Sequence, residues 1–259
     1  MTIFSETMNS QTGNLLRRLV LPLLCVSALA QQATVSGPLS ADEVMQRVME
    51  RNEQRAKALE NYSSIRSYHL ECHCLSHKKA DMVVRVDYQA PNKKEFTILE
   101  ESGSGSVRHK VFKKLMEAEQ ESMQEENQQR SAVSLENYTF QLSDYQKTET
   151  DEVYVLDAQP RTKNKFLFRG RLWVSAKDFA ITRVEGQPAV NPSWWTVRTD
   201  FKRSYQKLGE FWLPESNESE TKVRILGTAF LTISYGEYQI TPAAGTKIAS
   251  AQETPSPGQ

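Results

Sequence analysis

From Asn164 to Ile240 apolar and polar side chains alternate almost without interruption. Phe166, Phe168, Leu172 and Val174 fall on one face of a first strand. Trp195, Val197, Thr199, Phe201 and Tyr205 fall on one face of a later one, with Thr196, Arg198, Asp200, Lys202 and Ser204 on the other. Residues two apart in a strand point the same way, so the pattern predicts antiparallel strands with one apolar and one solvated face. The same period marks further strands over Ser67–Leu75, Asp81–Tyr88, Lys94–Glu100, Tyr138–Asp144 and Val153–Asp157. Turn residues separate them at Ala90-Pro-Asn92, Ser175-Ala-Lys-Asp178, Lys207-Leu-Gly-Glu210 and Leu226-Gly227.

Two stretches change to a helical period. Ser40 with Glu43 forms a capping box, and Ala41, Val44, Met45, Val48, Ala56 and Leu59 make one stripe to about Tyr62. Glu101-Ser-Gly-Ser-Gly-Ser106 reads as a flexible loop. After it, Val107, Val111, Phe112, Leu115, Met116 and Met123 predict a single helix to about Gln129. That helix carries Arg108, Lys110, Lys113 and Lys114 first and Glu117, Glu119, Glu121, Glu125 and Glu126 last, opposite to what the helix dipole favours. Docking, rather than intrinsic propensity, is expected to hold it. The sum is a mainly β (α+β) domain. An antiparallel sheet of about ten strands is expected to curl, which gives it a concave face that the two helices can plug.

Arg17 and Arg18 precede an apolar run, Leu19–Val26, and Ala28-Leu-Ala30 supplies small residues where a signal peptidase reads. This predicts a signal peptide over 1–30, one domain over 31–240, and a disordered Ala/Thr/Ser/Pro/Gly tail over 241–259. The protein is then periplasmic or secreted, and soluble after cleavage near Ala30.

Composition removes several function classes. The 32 Lys and Arg balance 32 Asp and Glu, which argues against nucleic acid as a partner. His69, His73 and His77 lie beside Cys72 and Cys74. Residues four apart in a strand are about 13 Å apart, too far to share one ion. Two cysteines that share a strand face are also poorly placed for a disulfide and are expected to be small buried hydrophobes. No P-loop ending, nucleophile elbow or metalloprotease helix can be read. No catalytic residue, metal or cofactor is therefore expected.

Several segments resemble a known family. They are Tyr88-Gln-Ala-Pro91, Glu101-Ser-Gly-Ser104, Val111-Phe-Lys-Lys-Leu115, Glu136-Asn-Tyr-Thr-Phe140, Phe168-Arg-Gly-Arg-Leu-Trp-Val174, Phe211-Trp-Leu-Pro214, Val223-Arg-Ile-Leu-Gly227 and Ile233-Ser-Tyr-Gly-Glu-Tyr238. Together with the element order they resemble the LolA/LolB-like periplasmic lipoprotein-carrier superfamily, in particular exported bacterial outer-membrane lipoprotein-sorting homologues. The resemblance implies an incomplete β-barrel, covered by the two helices, whose apolar concave face takes a lipid, an acyl chain or a lipoprotein without covalent chemistry, and membrane-protein or lipoprotein partners. The expected ligand-binding residues are Phe166, Phe168, Leu172, Trp195, Val197, Phe201, Leu231 and Ile233 on the sheet, with Val111, Leu115 and Met116 on the lid. The alternative is an envelope sensor or protein-interaction domain with a filled core and no transported ligand.

Overall fold

The computed structural model describes residues 38–74, 77–149, 151–191, 193–225 and 227–244. The expected leader, and the tail beyond residue 244, lie outside the described residues.

Ser40 caps the first helix, α1 (Ala41–Ala58). Its Oγ accepts from the Glu43 amide at 3.3 Å, and the Glu43 carboxylate accepts from the Ser40 amide at 2.9 Å. Both partners satisfy backbone groups that the first turn leaves unbonded. Ser40→Ala is expected to cost about 1 kcal/mol, read as a lower midpoint in urea denaturation. An unchanged midpoint would mean that the cap contributes nothing.

Helix α1 ends four residues earlier than its apolar stripe predicts. Leu59 is already extended, and strand β1 (Leu59–Cys74) follows with no loop between. The reason is non-local: Asn61 pairs with Gln89 on one side and Thr241 on the other. A ladder on both flanks satisfies more backbone groups than another helical turn would.

The remaining strands are β2 (Lys78–Gln89), β3 (Lys93–Gly103), β4 (Tyr138–Lys147), β5 (Glu152–Pro160), β6 (Phe168–Ser175), β7 (Ala180–Pro188), β8 (Thr196–Leu208), β9 (Phe211–Val223) and β10 (Gly227–Pro242). All join one ten-stranded antiparallel sheet in the order β3-β2-β1-β10-β9-β8-β7-β6-β5-β4. The sheet does not close on itself; it is an open half-barrel. Its two edges, β3 and β4, are consecutive in sequence. The segment joining them therefore travels from one edge of the sheet to the other across its inner face.

That segment is helical but not the single helix expected. It comprises α2 (Gly105–Val107), a π-helical turn (Arg108–Phe112), α3 (Lys113–Met123) and α4 (Glu125–Ser131). The π turn closes i→i+5 bonds, which brings Val107 and Phe112 onto one face; both are buried, as is Met116. The chain breaks at Gln124 (ψ 141°). There the Asn127 and Gln128 side chains donate to the carbonyls of Glu121 and Met123, each at 3.0 Å. The preceding Gly-Ser stretch is anchored too. Ser104 N–H donates to the Lys79 carbonyl, and Gly103 sits at φ +75°, where a Cβ would lie 2.3 Å from the Lys79 oxygen. The unfavourable charge order is offset by partners outside the helix: Arg108 pairs with Glu101, Glu119 with Arg66 and Lys94, and Glu121 with Lys165.

The inner face holds two apolar cores. Helix α1 contributes Val44, Met45 and Val48 to the first, against Tyr138, Leu156, Leu172 and Val184 of β4–β7. The helical crossover contributes Val107, Phe112 and Met116 to the second, against Tyr68, Met82, Val84 and Ile233 of β1, β2 and β10.

One expected face is displaced. Strand β8 begins with a bulge between Thr196 and Arg198, so Thr196 is buried while Val197 is exposed. An extra residue shifts every side chain before it to the other face. Trp195, expected inside, is 43% exposed and lies against Trp194, the rings tilted by 30° with centroids 3.7 Å apart. Cys72 departs from expectation as well, since it is disulfide-bonded. His69 hydrogen-bonds Asp81 at 2.6 Å.

Candidate ligand-binding face

The residues expected to line a cavity divide among four places. Leu172 is fully buried in the first core; Phe168 and Phe201 border it, edge to face at 5.7 Å. Phe166 lies in the turn before β6 beneath the Lys165 ammonium. Ile233 and Met116 belong to the second core, with Val111, Leu115 and Leu231 packed against it. Trp195 and Val197 stand at the exposed start of β8.

Of these, Met116 borders an opening of about 450 Å³ beside Met82 and Phe96, and Phe201 and Leu231 border a depression of about 730 Å³; the groove with the largest apolar walls lies elsewhere. An open groove of about 560 Å³ runs between α1, the segment after α4, and strands β7–β9. Met49, Leu59, Val133, Ile181, Phe211 and Leu213 give it apolar walls, and Tyr205 lines it from β8. Its size falls within the range of small-molecule sites. The depression of about 730 Å³ lies where β5–β10 turn Gln159, Arg169, Glu185, Lys202, Glu218 and Glu220 outward, and its walls are charged.

Between the two cores the inner face is polar. Arg66, on β1, has a side chain only 4% exposed, and its guanidinium grips the Glu119 carboxylate of α3 with two bonds of 2.6 and 3.2 Å. Lys94 of β3 donates to the same carboxylate at 2.7 Å. Arg66 also donates to the Tyr68 hydroxyl at 3.0 Å, and its charge lies 4.5 Å from the Tyr235 ring centroid. Arg203 and Tyr205 share the inner face of β8 with Phe201. Arg203 sits directly opposite Asn217 of β9.

The family model matches residues 78–239, from the first residue of β2 almost to the end of β10. The chain belongs to the family of unknown function DUF5686. A comparison with curated proteins returns no match. Solved structures similar to this DUF5686 chain include a putative outer membrane lipoprotein-sorting protein domain from Vibrio parahaemolyticus, at 12% identity over 80% of this chain and 94% of that one, TM-score 0.41. A DUF1329 family protein from Desulfovibrio piger gives 9% identity over 80% and 95%, TM-score 0.39. A LolA superfamily protein from Nitrosomonas europaea gives 10% identity over 79% and 94%, TM-score 0.36.

The electrostatics of the DUF5686 inner face centre on Glu119. Burial alone would raise its pKa, but the bonds from Arg66 and the charge of Lys94 outweigh it and hold the carboxyl at about 2, against an ordinary 4.5. Arg66 is held above its ordinary value in return: desolvation is overcome by the Glu119 bond and charge. Because the folded pKa of Glu119 is depressed, its stabilisation is present above pH 4.5 and is lost as pH falls toward 2. The loss attributable to this group is about 3 kcal/mol. Urea denaturation of the native protein and Glu119→Gln across pH 6 to 2 isolates it. The two curves should converge as pH falls, and parallel curves would show that the pair does not couple to folding.

Among the functional features, sequence reasoning missed the groove and the polar centre. The signal for the second was present. Arg66 precedes Tyr68 and Leu70, and Arg203 falls between Phe201 and Tyr205, each a cation on the apolar parity of its strand. Such a charge is placed against its own pattern and needs a partner.

Proposed function

We propose that this chain is an exported binding protein that holds an apolar or amphipathic ligand, such as a lipid or acyl chain, on the inner face of its half-barrel, without covalent chemistry. The groove beside α1 carries this reading: it is open, largely apolar-walled, large enough for a chain, and bordered by α1 and the segment after α4 rather than by a second sheet. Each buried methylene would contribute roughly 0.8 kcal/mol. The Leu19–Val26 leader fits export, and among the described residues no helix is long and apolar enough to cross a membrane. Lipoproteins or membrane proteins are the partners proposed for delivery. Of the expected lining residues, Phe201 is the one that stands beside Arg203 and Tyr205 on β8. Ile233 and Leu231, with Val111, Leu115 and Met116, would meet a ligand if the helical crossover lifted.

The second reading, a protein-interaction or sensor domain, draws support from the two buried apolar cores. Mass spectrometry of organic extracts from protein purified out of its native host separates them. A stoichiometric lipid supports the binding protein. A clean apo protein whose tryptophan fluorescence ignores added fatty acid contradicts it and leaves the interaction domain.

A further inference from the structure

Antiparallel pairing gathers the connections of the sheet at two ends, and the two ends differ in kind. Phe168 opposite Pro188, Thr196 opposite Val223 and Val223 opposite Gly227 bring the β5–β6, β7–β8 and β9–β10 connections to one of them. The three run side by side. The Ala189 N–H donates to the Leu167 carbonyl at 2.8 Å, and the Arg224 N–H donates to the Trp195 carbonyl at 2.9 Å.

This rim exposes what a folded chain ordinarily hides. Trp194 is 71% exposed and Ile225 86%, and Val190, Trp195 and Val197 lie open beside them. Large apolar side chains on adjoining connections make a patch rather than scattered exceptions. Ile225 also has φ +66°, a conformation that strains a β-branched residue and leaves glycine unstrained. An isoleucine there, almost wholly in water, gives the fold nothing that glycine would not give with less strain.

Charge follows the same division. The connecting residues 161–167, 189–195 and 224–226 contain Arg161, Lys163, Lys165 and Arg224 and no carboxylate. Glu136, just before β4, adds one at the sheet edge of that end. Lys165 pairs with Glu121 and Arg161 donates to backbone carbonyls, while Lys163 and Arg224 stand exposed. The turns at the opposite end, 148–151, 176–179 and 209–210, contain Glu149, Asp151, Asp178 and Glu210 against the single cation Lys177. A chain of zero net charge thus has a cationic end that bears tryptophan and an acidic end.

We infer that the cationic end of the half-barrel is a docking surface for a membrane containing anionic phospholipid, with Trp194, Trp195 and Ile225 entering the interface and Lys163 and Arg224 meeting phosphates. Tryptophan settles at the level of the head groups, where its ring is sheltered and its N–H stays wet. Cations beside it gain from the negative surface potential. Each contribution is weak alone, and together they give reversible attachment. Such attachment suits a chain in which no helix, among the described residues, can cross a bilayer. It does not require the groove beside α1 to be occupied.

Sedimentation of the full chain with vesicles of phosphatidylcholine, alone or with about a third phosphatidylglycerol, tests this. Binding should favour the anionic vesicles and weaken as salt rises. Trp194→Ser with Trp195→Ser should weaken it about tenfold or more, and Lys163→Gln with Arg224→Gln about fivefold per charge. Residues 1–37 are common to all variants, so an apolar leader adds equally to each. Brominated acyl chains locate the contact. They should quench the fluorescence of the native protein but not that of Trp194→Phe with Trp195→Phe, which keeps Trp173 and Trp212. Equal binding to neutral and anionic vesicles overturns the inference, as does equal quenching of native protein and variant, or an unchanged affinity in the serine variant. Absence of binding overturns it too and leaves a protein as the occupant of the rim. If the serine variant does not fold, as judged by circular dichroism, the lipid and salt dependence of the native protein and the quenching pair still decide.

Discussion

Glu119→Ala should destabilise the protein by about 3–5 kcal/mol, the range for breaking a buried ion pair from one side. The substitution deletes few atoms. Its effect comes from what it leaves behind: Arg66, with a side chain 4% exposed, and Lys94, at 13%, would keep their charges without a counter-charge. The loss should concentrate in the crossover, because Glu119 is the charged group that ties α3 to β1 and β3. Hydrogen exchange across residues 105–131 should therefore quicken more than exchange in β5–β7. A companion variant carrying Arg66→Met and Glu119→Leu should recover part of the loss, since it removes the stranded guanidinium as well as its partner. A loss in Glu119→Ala below about 1 kcal/mol would place the pair with ordinary surface ion pairs and would remove the latch from this account.

Phe112→Ala should cost a similar amount, about 3–5 kcal/mol, by a different mechanism. Phe112 is fully buried, and its ring lies 5.4 Å from that of Tyr68. Its position depends on the π turn that aligns it with Val107, so no neighbouring residue of the crossover can swing in to fill the cavity. Denaturant midpoints would show the loss as salt-independent, in contrast to Glu119→Ala. A loss near 1 kcal/mol would mean that the crossover rests only lightly on the sheet. The two substitutions together separate the polar and apolar contributions to the hold of the helices on the inner face.

Much of this architecture could be read along the chain because it is local. Alternation places β2–β5 within a few residues of where they stand, and Ser40 with Glu43 marks the first helical turn correctly. The readings that fail are those decided by distant partners. Leu59 leaves the helix because β2 and β10 pair with the residues after it. Trp195 faces outward because one bulge at Thr196 resets the parity of the strand. The division of the apolar face into two cores follows from β1 joining β10 in mid-sheet, a pairing that no local period encodes. Arg203 was visible in the pattern as a cation on an apolar face.

The claim on which the rest depends is that a ligand lies on the inner face, beside α1 and β7–β9. Photolabelling the full chain with a diazirine analogue of palmitate, followed by residue-level mass spectrometry, addresses it directly. The account predicts saturable adducts on groove residues such as Met49, Ile181 and Leu213, suppressed by excess palmitate. Adducts confined to the outward-facing Arg169, Lys202 and Glu218, or labelling that does not saturate, would contradict it.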